Sequence, residues 1–364
     1  MTSNSTGAGG NSNTASGEYS TVGGGSNNSA SGFASTISGG GANNTAIGDS
    51  STVAGGQQNN AMGGHSTVAG GGFNTASGLA STVGGGTTHT ASGAYSTVSG
   101  GVANIAPSLY SIIAGGNSNT ASGEASTVGG GTNNTASGFA STVVGGGPAN
   151  TASGFYSTVA GGNDNTASGE SSFAAGRQAK TQTPGASPTV HNGAFVWADD
   201  NTLDFNSTAD NEFSARVTGG VRFVTAINGS GAPTWVCGVS GGSGGSWGCS
   251  SDRNLKAGLV SLDGVATLER LATLPVYRWF AKDDARKTPH AGPMAQDFMA
   301  AFGLGDNDRM IGFADAQGVA FAAIQGLHRQ LIHKSREIAM LKAKVAEVDT
   351  LKRKLEAIEA KLGL

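Results

Sequence analysis

The sequence predicts a mainly β N-terminal half, built as a β-solenoid or β-roll of repeats, and a small α+β C-terminal domain ending in a long coiled-coil helix. Three observations support this prediction: a glycine-rich repeat, an abrupt change in composition near residue 250, and heptad-like apolar spacing near the C terminus. Of the 364 residues, 62 are glycine and only 12% are charged. A glycine content this high, without collagen's three-residue period, is typical of low-complexity sequence or of a tightly wound repeat. We therefore divide the chain into residues 1–176, 177–250 and 251–364.

Residues 1–176 repeat the unit Asn-Thr-Ala-Ser-Gly-x-x-Ser-Thr-Val-x-Gly-Gly, seen cleanly at Asn119–Gly130. A flexible linker has no reason to hold a fixed register, whereas a solenoid coil buries the face of its neighbour. We expect Ala and Val to point inward, and paired glycines and Asn residues to form corners of positive φ. The second serine of the unit recurs in eight steps of 15 residues and two of 16, at Ser20, Ser35, Ser51, Ser66, Ser81, Ser96, Ser111, Ser126, Ser141, Ser157 and Ser172.

Large side chains fill variable positions of the repeat. Because so narrow a coil has no room for them inside, we expect many of them to pack against partner chains; the alternative is aromatic residues scattered singly over the surface. His65 and His89 are assigned to variable positions as well. The large residues are Tyr19, Phe33, Leu79, Tyr95, Phe139 and Phe155.

Charge excludes several classes of protein. Residues 1–176 contain no Lys or Arg, so they lack the clustered cations of a nucleic-acid surface. Asp49 and Asp164 are too few for a calcium-binding β-roll, which needs an Asp in every turn. The start is neither basic nor apolar, and no apolar run nears the ~20 residues of a membrane span, so we expect neither a secretory signal nor membrane insertion. No metal cluster, phosphate loop or dinucleotide fingerprint is present, so no metal or cofactor is predicted. Thr and Ser ladders would also suit an ice-binding face, a less economical interpretation than a stalk or a binding head.

The connector, residues 177–250, is predicted to be β-rich. Alternating apolar residues indicate strands near 194–198, 212–217 and 221–225, and Gly219-Gly220 predicts a tight turn between the last two. Strands this few need support from other chains. Acids in this segment suggest a carboxylate pair for glycoside hydrolysis, against the commoner alternative of solvated loop acids. These acids are Asp199, Asp200, Asp204, Asp210 and Glu212.

Cys237 and Cys249 flank a Gly/Ser spacer over residues 238–248, which we expect to give the following junction the freedom to be cut. A disulfide within or between chains and two free thiols are both open, and the spacing matches no zinc site.

The third segment reads as α+β. We expect a strand-like start at Leu259–Leu262, a helix near 264–274, a strand at 276–280, a helix at 294–302, and a last helix from Gly318 to the end. His290, His328 and His333 are interpreted as surface or packing residues. Apolar spacing that alternates four and three predicts a coiled coil over about 324–362, without choosing between two and three strands. Its apolar positions are Ile324, Leu327, Leu331, Ile338, Leu341, Val345, Val348, Leu351, Leu355, Ile358 and Leu362.

The junction places a hydroxyl and an amine five residues apart, at Ser251 and Lys256. A serine activated by a neutral lysine is a known form of nucleophilic catalysis. Alone the spacing is a weak motif, and two solvated side chains in a loop would explain it equally.

Ser251–Lys256, together with Leu274–Trp279, Gly292–Phe298 and Gly318–Ile324, resembles the endosialidase-type intramolecular chaperone domain (peptidase S74), the self-cleaving module at the C terminus of phage tail spikes and fibres. Pro293-Met294 departs from the expected aromatic-aliphatic pair, which affects packing rather than chemistry. The repeat block resembles, in architecture, the left-handed β-roll of trimeric adhesin heads.

These resemblances imply a homotrimer, cleaved by itself between Ser251 and Asp252, with Ser251 as nucleophile and Lys256 as base. They also imply a location on a virion tail fibre or a cell surface, where a host glycan or receptor would be the ligand of the repeat region. Two other functions stay open: a trimeric structural or adhesion protein that never cuts, and a tail spike that binds or cleaves glycans.

The chemistry of the cut leaves alternatives. The lysine must be neutral, which requires burial or a nearby cation, and Arg253 is the candidate cation. Backbone N–H groups near Gly248 or Asn254 would hold the oxyanion. Attack by Ser251 on the preceding carbonyl would cut at Ser250–Ser251, and attack on its own carbonyl would form a strained four-membered ring. A cut after Ser251 therefore points to a nucleophile from a neighbouring subunit or to an activated water.

Overall fold

The computed structural model describes residues 4–242 and 245–362. Residues 1–3, two residues of the Gly/Ser spacer and the side chain of Leu362, the last expected heptad position, lie outside the described residues. The chain forms two compact units, which meet in sequence between Ser250 and Ser251.

The first unit is a β-solenoid in which each coil contributes one short strand to each of two parallel sheets, so the predicted solenoid is confirmed. Odd-numbered strands form one sheet of 14 strands and even-numbered strands form the other, of 13. The strands are β1 (Thr6–Gly7), β2 (Thr14–Ala15), β3 (Thr21–Val22), β4 (Ser29–Ala30), β5 (Thr36–Ile37), β6 (Thr45–Ala46), β7 (Thr52–Val53), β8 (Asn60–Ala61), β9 (Thr67–Val68), β10 (Thr75–Ala76), β11 (Thr82–Val83), β12 (Thr90–Ala91), β13 (Thr97–Val98), β14 (Ile105–Ala106), β15 (Ile112–Ile113), β16 (Thr120–Ala121), β17 (Thr127–Val128), β18 (Thr135–Ala136), β19 (Thr142–Val143), β20 (Thr151–Ala152), β21 (Thr158–Asn163), β22 (Thr166–Ala167), β23 (Phe173–Arg177), β24 (Ala179–Lys180), β25 (Phe195–Ala198), β26 (Phe205–Asn206) and β27 (Phe213–Arg216).

From β2 to β22, the second residue of each strand fills the core, as predicted. Val or Ile from the odd-numbered strands and Ala from the even-numbered strands are buried from coil to coil, for example Val53, Val98, Ala61 and Ala106. The repeating serine is buried as well. Because each coil contributes the same few small side chains, the stability of the stack is close to a sum of nearest-neighbour terms.

A row of buried Asn side chains runs along the stack and was not predicted. The Oδ1 atom of each Asn accepts a hydrogen bond from the backbone N–H one coil later, as from Asn59 Oδ1 to Asn74 N at 3.0 Å. Its Nδ2 atom donates to glycine carbonyls, as from Asn59 to Gly55 and Gly71, both at 2.9 Å. The Asn side chains therefore satisfy backbone groups that the short strands leave unpaired.

His89 takes the place of an Asn in this row, so its assignment to a variable position was wrong. The imidazole is fully buried, and its Nδ1 accepts from the N–H of Asn104 at 3.1 Å. Burial lowers the pKa of His89 below its ordinary value, against smaller opposing effects of the backbone groups of Gly101 and Asn104.

We expect the folded protein to lose stability below pH ~6.5, and His89→Asn to remove that loss. The unfolded chain takes up a proton at His89 near its ordinary pKa while the folded chain does not, so falling pH favours unfolding, by at most about 1.4 kcal/mol per pH unit for one group. Thermal unfolding of the full chain at pH 7.5 and 5.5 measures the difference. His65→Asn is the matched control because His65 is exposed in the same repeat. Equal pH dependence in wild type and His89→Asn would contradict the prediction.

The corners of the coil differ in part from the prediction. Paired glycines do supply positive φ, as at Gly86, but the corner directly before the buried serine carries neither Gly nor Asn. Tyr, Ala, Ser or His stands there, for example Tyr19 at φ 60° and Ala34 at φ 51°. The stacked hydrogen bonds of successive coils hold these residues in a region that they rarely adopt alone.

Large side chains of neighbouring coils contact one another. Tyr19 and Phe33 meet edge to face at 5.4 Å, and Tyr95 stacks on Tyr110 at 5.3 Å. They are still about half exposed. The aromatic residues are therefore not scattered singly, and their packing against partner chains stays a prediction.

The solenoid continues beyond residue 176, into the segment predicted as a connector. Strands β23, β25 and β27 pair in parallel, with Phe173, Phe195 and Phe213 stacked at 4.6 and 5.0 Å. The tight turn expected at Gly219-Gly220 is confirmed, from Val217 to Gly220, and the strands on its two sides belong to different sheets. Local turn chemistry could not show that the earlier strand had a parallel partner one coil away.

A three-stranded antiparallel sheet ends the first unit. It contains β28 (Gly220–Ile227), β29 (Pro233–Ser240) and β30 (Trp247–Cys249), with β29 in the middle. Cys237 and Cys249 lie directly opposite each other and form a disulfide within the chain. Within the described residues, the two ends of the Gly/Ser spacer are paired with each other, Gly238 with Gly248 and Val239 with Trp247, rather than free.

The second unit contains a 3₁₀ turn over Arg253–Leu255, α1 (Gly264–Thr273), β31 (Tyr277–Trp279), β32 (His290–Gly292), α2 (Ala295–Phe302) and α3 (Phe313–Leu362). The three helices and β31 match the prediction, except that α3 begins five residues earlier than expected. The expected strand at residues 259–262 is wrong, since that exposed segment is irregular, and β32 was missed.

Helices α1 and α3 cross where two glycines face each other. A Cβ at Gly326 would overlap the carbonyl oxygen of Gly264, and a Cβ at Gly264 would lie 2.6 Å from the carbonyl oxygen of Ala322. The two backbones thus touch without any side chain between them.

We expect Gly326→Ala to destabilise the second unit by about 1–3 kcal/mol or more, because the added methyl group must push α1 and α3 apart. Gly318→Ala is the matched control on the same helix: nothing lies near its Cβ, and alanine favours the helix by about 1 kcal/mol. Denaturant unfolding of the full chain followed by helix circular dichroism compares them. Equal effects of the two substitutions would contradict the close packing.

Candidate functional site

The predicted serine and lysine are brought together at the first residues of the second unit. Lys256 Nζ donates a hydrogen bond to Ser251 Oγ at 2.7 Å. The same contact, with the amine neutral, would let the lysine accept the hydroxyl proton, as a serine–lysine pair requires. With a neutral amine, this arrangement would activate a hydroxyl group or a water molecule.

A single turn of chain positions the pair. Asp252 caps the 3₁₀ turn: its Oδ1 accepts from the backbone N–H of Asn254 at 2.9 Å and from Asn254 Nδ2 at 3.1 Å. Lys256 then leaves the turn in an extended conformation, after its N–H bonds to the carbonyl oxygen of Arg253. This cap was missed, although an Asp two residues before an Asn is a recognisable turn signal.

The backbone groups of the two supporting residues take part in the turn, and the role of the Arg253 side chain as the nearby cation stays a prediction. Arg253 contributes its carbonyl oxygen to the turn. The backbone N–H of Asn254 is engaged by Asp252, so in this conformation it is not free to hold an oxyanion. Gly248, the other candidate donor, belongs to the sheet of the first unit.

The serine–lysine pair is exposed to solvent in the single chain. All residues from 251 to 263 are exposed, including Ser251 and Lys256. General-base catalysis by lysine needs an environment that favours the neutral amine, and burial is one way to provide it. The described chain alone does not bury the pair.

The chain just before the junction is held in the sheet of the first unit. Ser250 donates its N–H to the carbonyl oxygen of Val236 at 2.8 Å, and its Oγ accepts from the N–H of Val236 at 3.1 Å. The disulfide of Cys249 lies one residue earlier. The residues up to Ser250 are thus anchored by contacts within the first unit.

The acids of residues 199–212 are engaged in structural contacts. Asp199 accepts from Thr218 and Arg216, and the hydroxyl and N–H of Thr218, followed by Arg216, hold its pKa well below the usual range. Hydrogen bonds from Ser214 and from the N–H of Thr208 lower the pKa of Glu212. A glycosidase needs a general acid of raised pKa, and neither Asp199 nor Glu212 fits that role.

One buried polar pair was missed altogether. His191 Nδ1 lies 2.6 Å from Ser207 Oγ, and both residues are buried within the solenoid coils. With no access for a substrate, this pair is a packing contact. The sequence could have indicated this pair only through the positions of His191 and Ser207 in the coil, and the regular repeat spacing that would show those positions ends near residue 176.

The described part of the chain contains neither a cluster of metal-binding side chains nor a membrane-spanning helix. No three His, Cys, Asp or Glu side chains among residues 4–242 and 245–362 lie together as a metal site. Over the same ranges, no helix combines the length and apolarity needed to cross a bilayer.

Comparison with known proteins identifies the segment that begins at the serine. Residues 251–304 match the model of the peptidase S74 family, described as the chaperone of endosialidase. The resemblance drawn from the motifs is thereby confirmed for these residues, which cover the junction, α1, β31, β32 and α2. No curated protein matches the chain.

Proposed function

We propose that the chain is a homotrimeric, fibre- or adhesin-like structural protein whose C-terminal module drives assembly and then releases itself by cleavage between Ser251 and Asp252. The observation that carries the proposal is the 2.7 Å contact of Lys256 Nζ with Ser251 Oγ, at the first residue of the segment that matches a self-cleaving chaperone family. A chaperone module that follows a β-solenoid fits a trimeric tail-fibre-like protein, on a virion or a cell surface.

Helix α3 supports self-association. Ten apolar residues recur along it at heptad-like spacing, and each is 51–63% exposed in the single chain. A helix of this length with an unpaired apolar stripe is typical of coiled-coil assembly. We call these ten residues the α3 stripe: Ile324, Leu327, Leu331, Ile338, Leu341, Val345, Val348, Leu351, Leu355 and Ile358.

The sheet of β28, β29 and β30 supports it too. None of its described residues is buried, and Phe223, Ile227 and Trp247 are each more than half exposed. Three strands need an apolar face that is covered to be stable in water. Neighbouring copies of the same sheet would provide that cover next to the scissile bond.

The proposed reaction is the hydrolysis of one peptide bond. Neutral Lys256 takes a proton from the attacking oxygen, which adds to the carbonyl carbon of Ser251, and the C–N bond to Asp252 breaks as its nitrogen gains a proton. The attacking oxygen is the Ser251 hydroxyl of a neighbouring subunit, followed by water, or a water activated directly. The products are a carboxylate on Ser251 and an amine on Asp252.

Exposure of the pair in one chain gives the proposal a physical order of events. A neighbouring subunit that covers residues 251–263 would favour the neutral lysine, so cutting would follow assembly. Parallel sheets form slowly and are exposed to aggregation while they form, and a helical clamp would align the chains first. Loss of the clamp then leaves a product that unfolds slowly.

The alternative is a module that assembles the chains and is never released, and the solvent-exposed pair is the observation that favours it. Intact-mass spectrometry with light scattering of the purified protein separates the two. We expect fragments 1–251 and 252–364 from a trimer. A folded, trimeric and uncut chain would leave only a passive assembly module. A surface glycan or receptor as ligand of the repeat stays a prediction.

A further inference from the structure

Asp252 does more in this structure than provide the amine side of the scissile bond. Its Oδ1 binds the backbone N–H and the side-chain Nδ2 of Asn254, and its carbonyl oxygen accepts from the N–H of Leu255 at 3.2 Å. These contacts are all local, and they close the 3₁₀ turn between Ser251 and Lys256.

The turn decides whether the two catalytic side chains meet. Five residues of extended chain would separate Ser251 and Lys256 by roughly 16 Å. In the turn, Lys256 Nζ and Ser251 Oγ lie 2.7 Å apart. Because all of these residues are exposed, no packing from the described chain holds the turn in place of the hydrogen bonds.

We infer that Asp252 is a positioning residue for the cleavage: its side-chain oxygen, as an acceptor for Asn254, holds the turn that brings Lys256 to Ser251. The inference rests on the proposed self-cleavage and adds that the residue acts as an acceptor rather than as a charge. Asn and Ser accept the same kind of bond at a cap, whereas Ala does not.

Substitutions separate this role from two others. If the carboxylate charge tuned the lysine, Asp252→Asn would shift the pH profile of cleavage. If only the size of the residue after the scissile bond mattered, Asp252→Ser and Asp252→Ala would behave alike. If Asp252 acts as an acceptor, Asn and Ser preserve cleavage and its pH profile, and Ala alone slows it.

The experiment follows full-length chain and fragments over time in cell-free synthesis, buffered between pH 6.5 and 8.5. We expect Asp252→Ala to cut about tenfold more slowly, equivalent to about 1.4 kcal/mol, and Asp252→Asn and Asp252→Ser to stay within about twofold of wild type. Asp263→Ala is the matched control: Asp263 caps α1 in the same unit through the N–H of Val265, away from the turn. It should cut at the wild-type rate.

A second measurement tests the turn without requiring cleavage, so that failure of the inference and failure of the proposed function can be distinguished. In the Ser251→Ala background, millisecond hydrogen exchange of the amides of Asn254 and Leu255 reports the turn directly. We expect protection to fall with Asp252→Ala and to persist with Asp252→Asn. If wild type never cuts, the proposed function fails while exchange still tests the turn. The inference would be overturned if Asp252→Ala were cut at the wild-type rate, or if Asp252→Asn and Asp252→Ala slowed cleavage equally. It would also be overturned if Asp252→Ala left the hydrogen exchange of the turn amides unchanged.

Discussion

Replacing Ser251 by Ala is expected to leave the 364-residue chain whole while it still folds and assembles. Loss of a nucleophile or of its base lowers such reactions by a factor on the order of 10⁴ or more. Lys256→Ala should have the same effect. Lys256→Arg should fail too, because a guanidinium keeps its proton and cannot act as a base. Denaturing gels and intact mass of the three variants beside wild type are the measurement.

Ser250→Ala is the matched control. It removes the neighbouring hydroxyl, which lies in the first unit against Val236, and the variant should still be cut. Mass analysis of the small fragment also decides which bond breaks: a piece that begins at Asp252 supports the proposed site, and one that begins at Ser251 shows attack on the preceding carbonyl. Fragments with the same boundaries and the same yield from both Ser251→Ala and Lys256→Ala would end the account of self-cleavage by this pair.

The second large effect is expected from the α3 stripe. Leu341→Lys should convert the proposed trimer into monomers, as measured by light scattering. Deleting a buried leucine side chain to alanine already costs about 2–5 kcal/mol, and a homotrimer suffers the loss in every chain, with a buried charge added here. If the catalytic pair is completed only by assembly, cleavage should fall with the trimer.

Ala343→Lys is the control on the same helix. Ala343 is exposed, lies two residues from Leu341 and does not belong to the α3 stripe, so this variant should assemble and cut like wild type. A trimer that survives Leu341→Lys would place the assembly contacts elsewhere. A monomer that still cuts would show that the exposed pair is active without a partner.

The inward positions of the solenoid followed from sequence because they depend on local periodicity. Val53 and Ala61 recur in step with the serine, and alternation along a two-residue strand decides which side chain faces the core. No such periodicity exists around Ser251 and Lys256, so the sequence showed only that the two residues are five positions apart at the junction. Their contact depends on the turn that Asp252 caps, in which the side chain of Asp252 accepts a hydrogen bond from the N–H of Asn254.

What could not be predicted depends on contacts between coils. His89 looked variable because no sequence pattern shows that an imidazole nitrogen can replace an amide oxygen as acceptor for Asn104. The parallel pairing of strand β27 could not be predicted from its own residues because its partner, β25, lies a whole coil earlier. In both cases tertiary pairing overrode a local signal.

The near identity of the coils has a consequence for how copies find their alignment. A stack whose period is almost constant has translational degeneracy: sliding one copy along another by a whole coil restores nearly the same surface. Two irregular steps, from Ser35 to Ser51 and from Ser141 to Ser157, each insert one extra residue and break this symmetry at unequal distances from the ends. In a misaligned pair of copies, a long coil would lie beside a short one, so the shifted alignment would fit less well than the correct one.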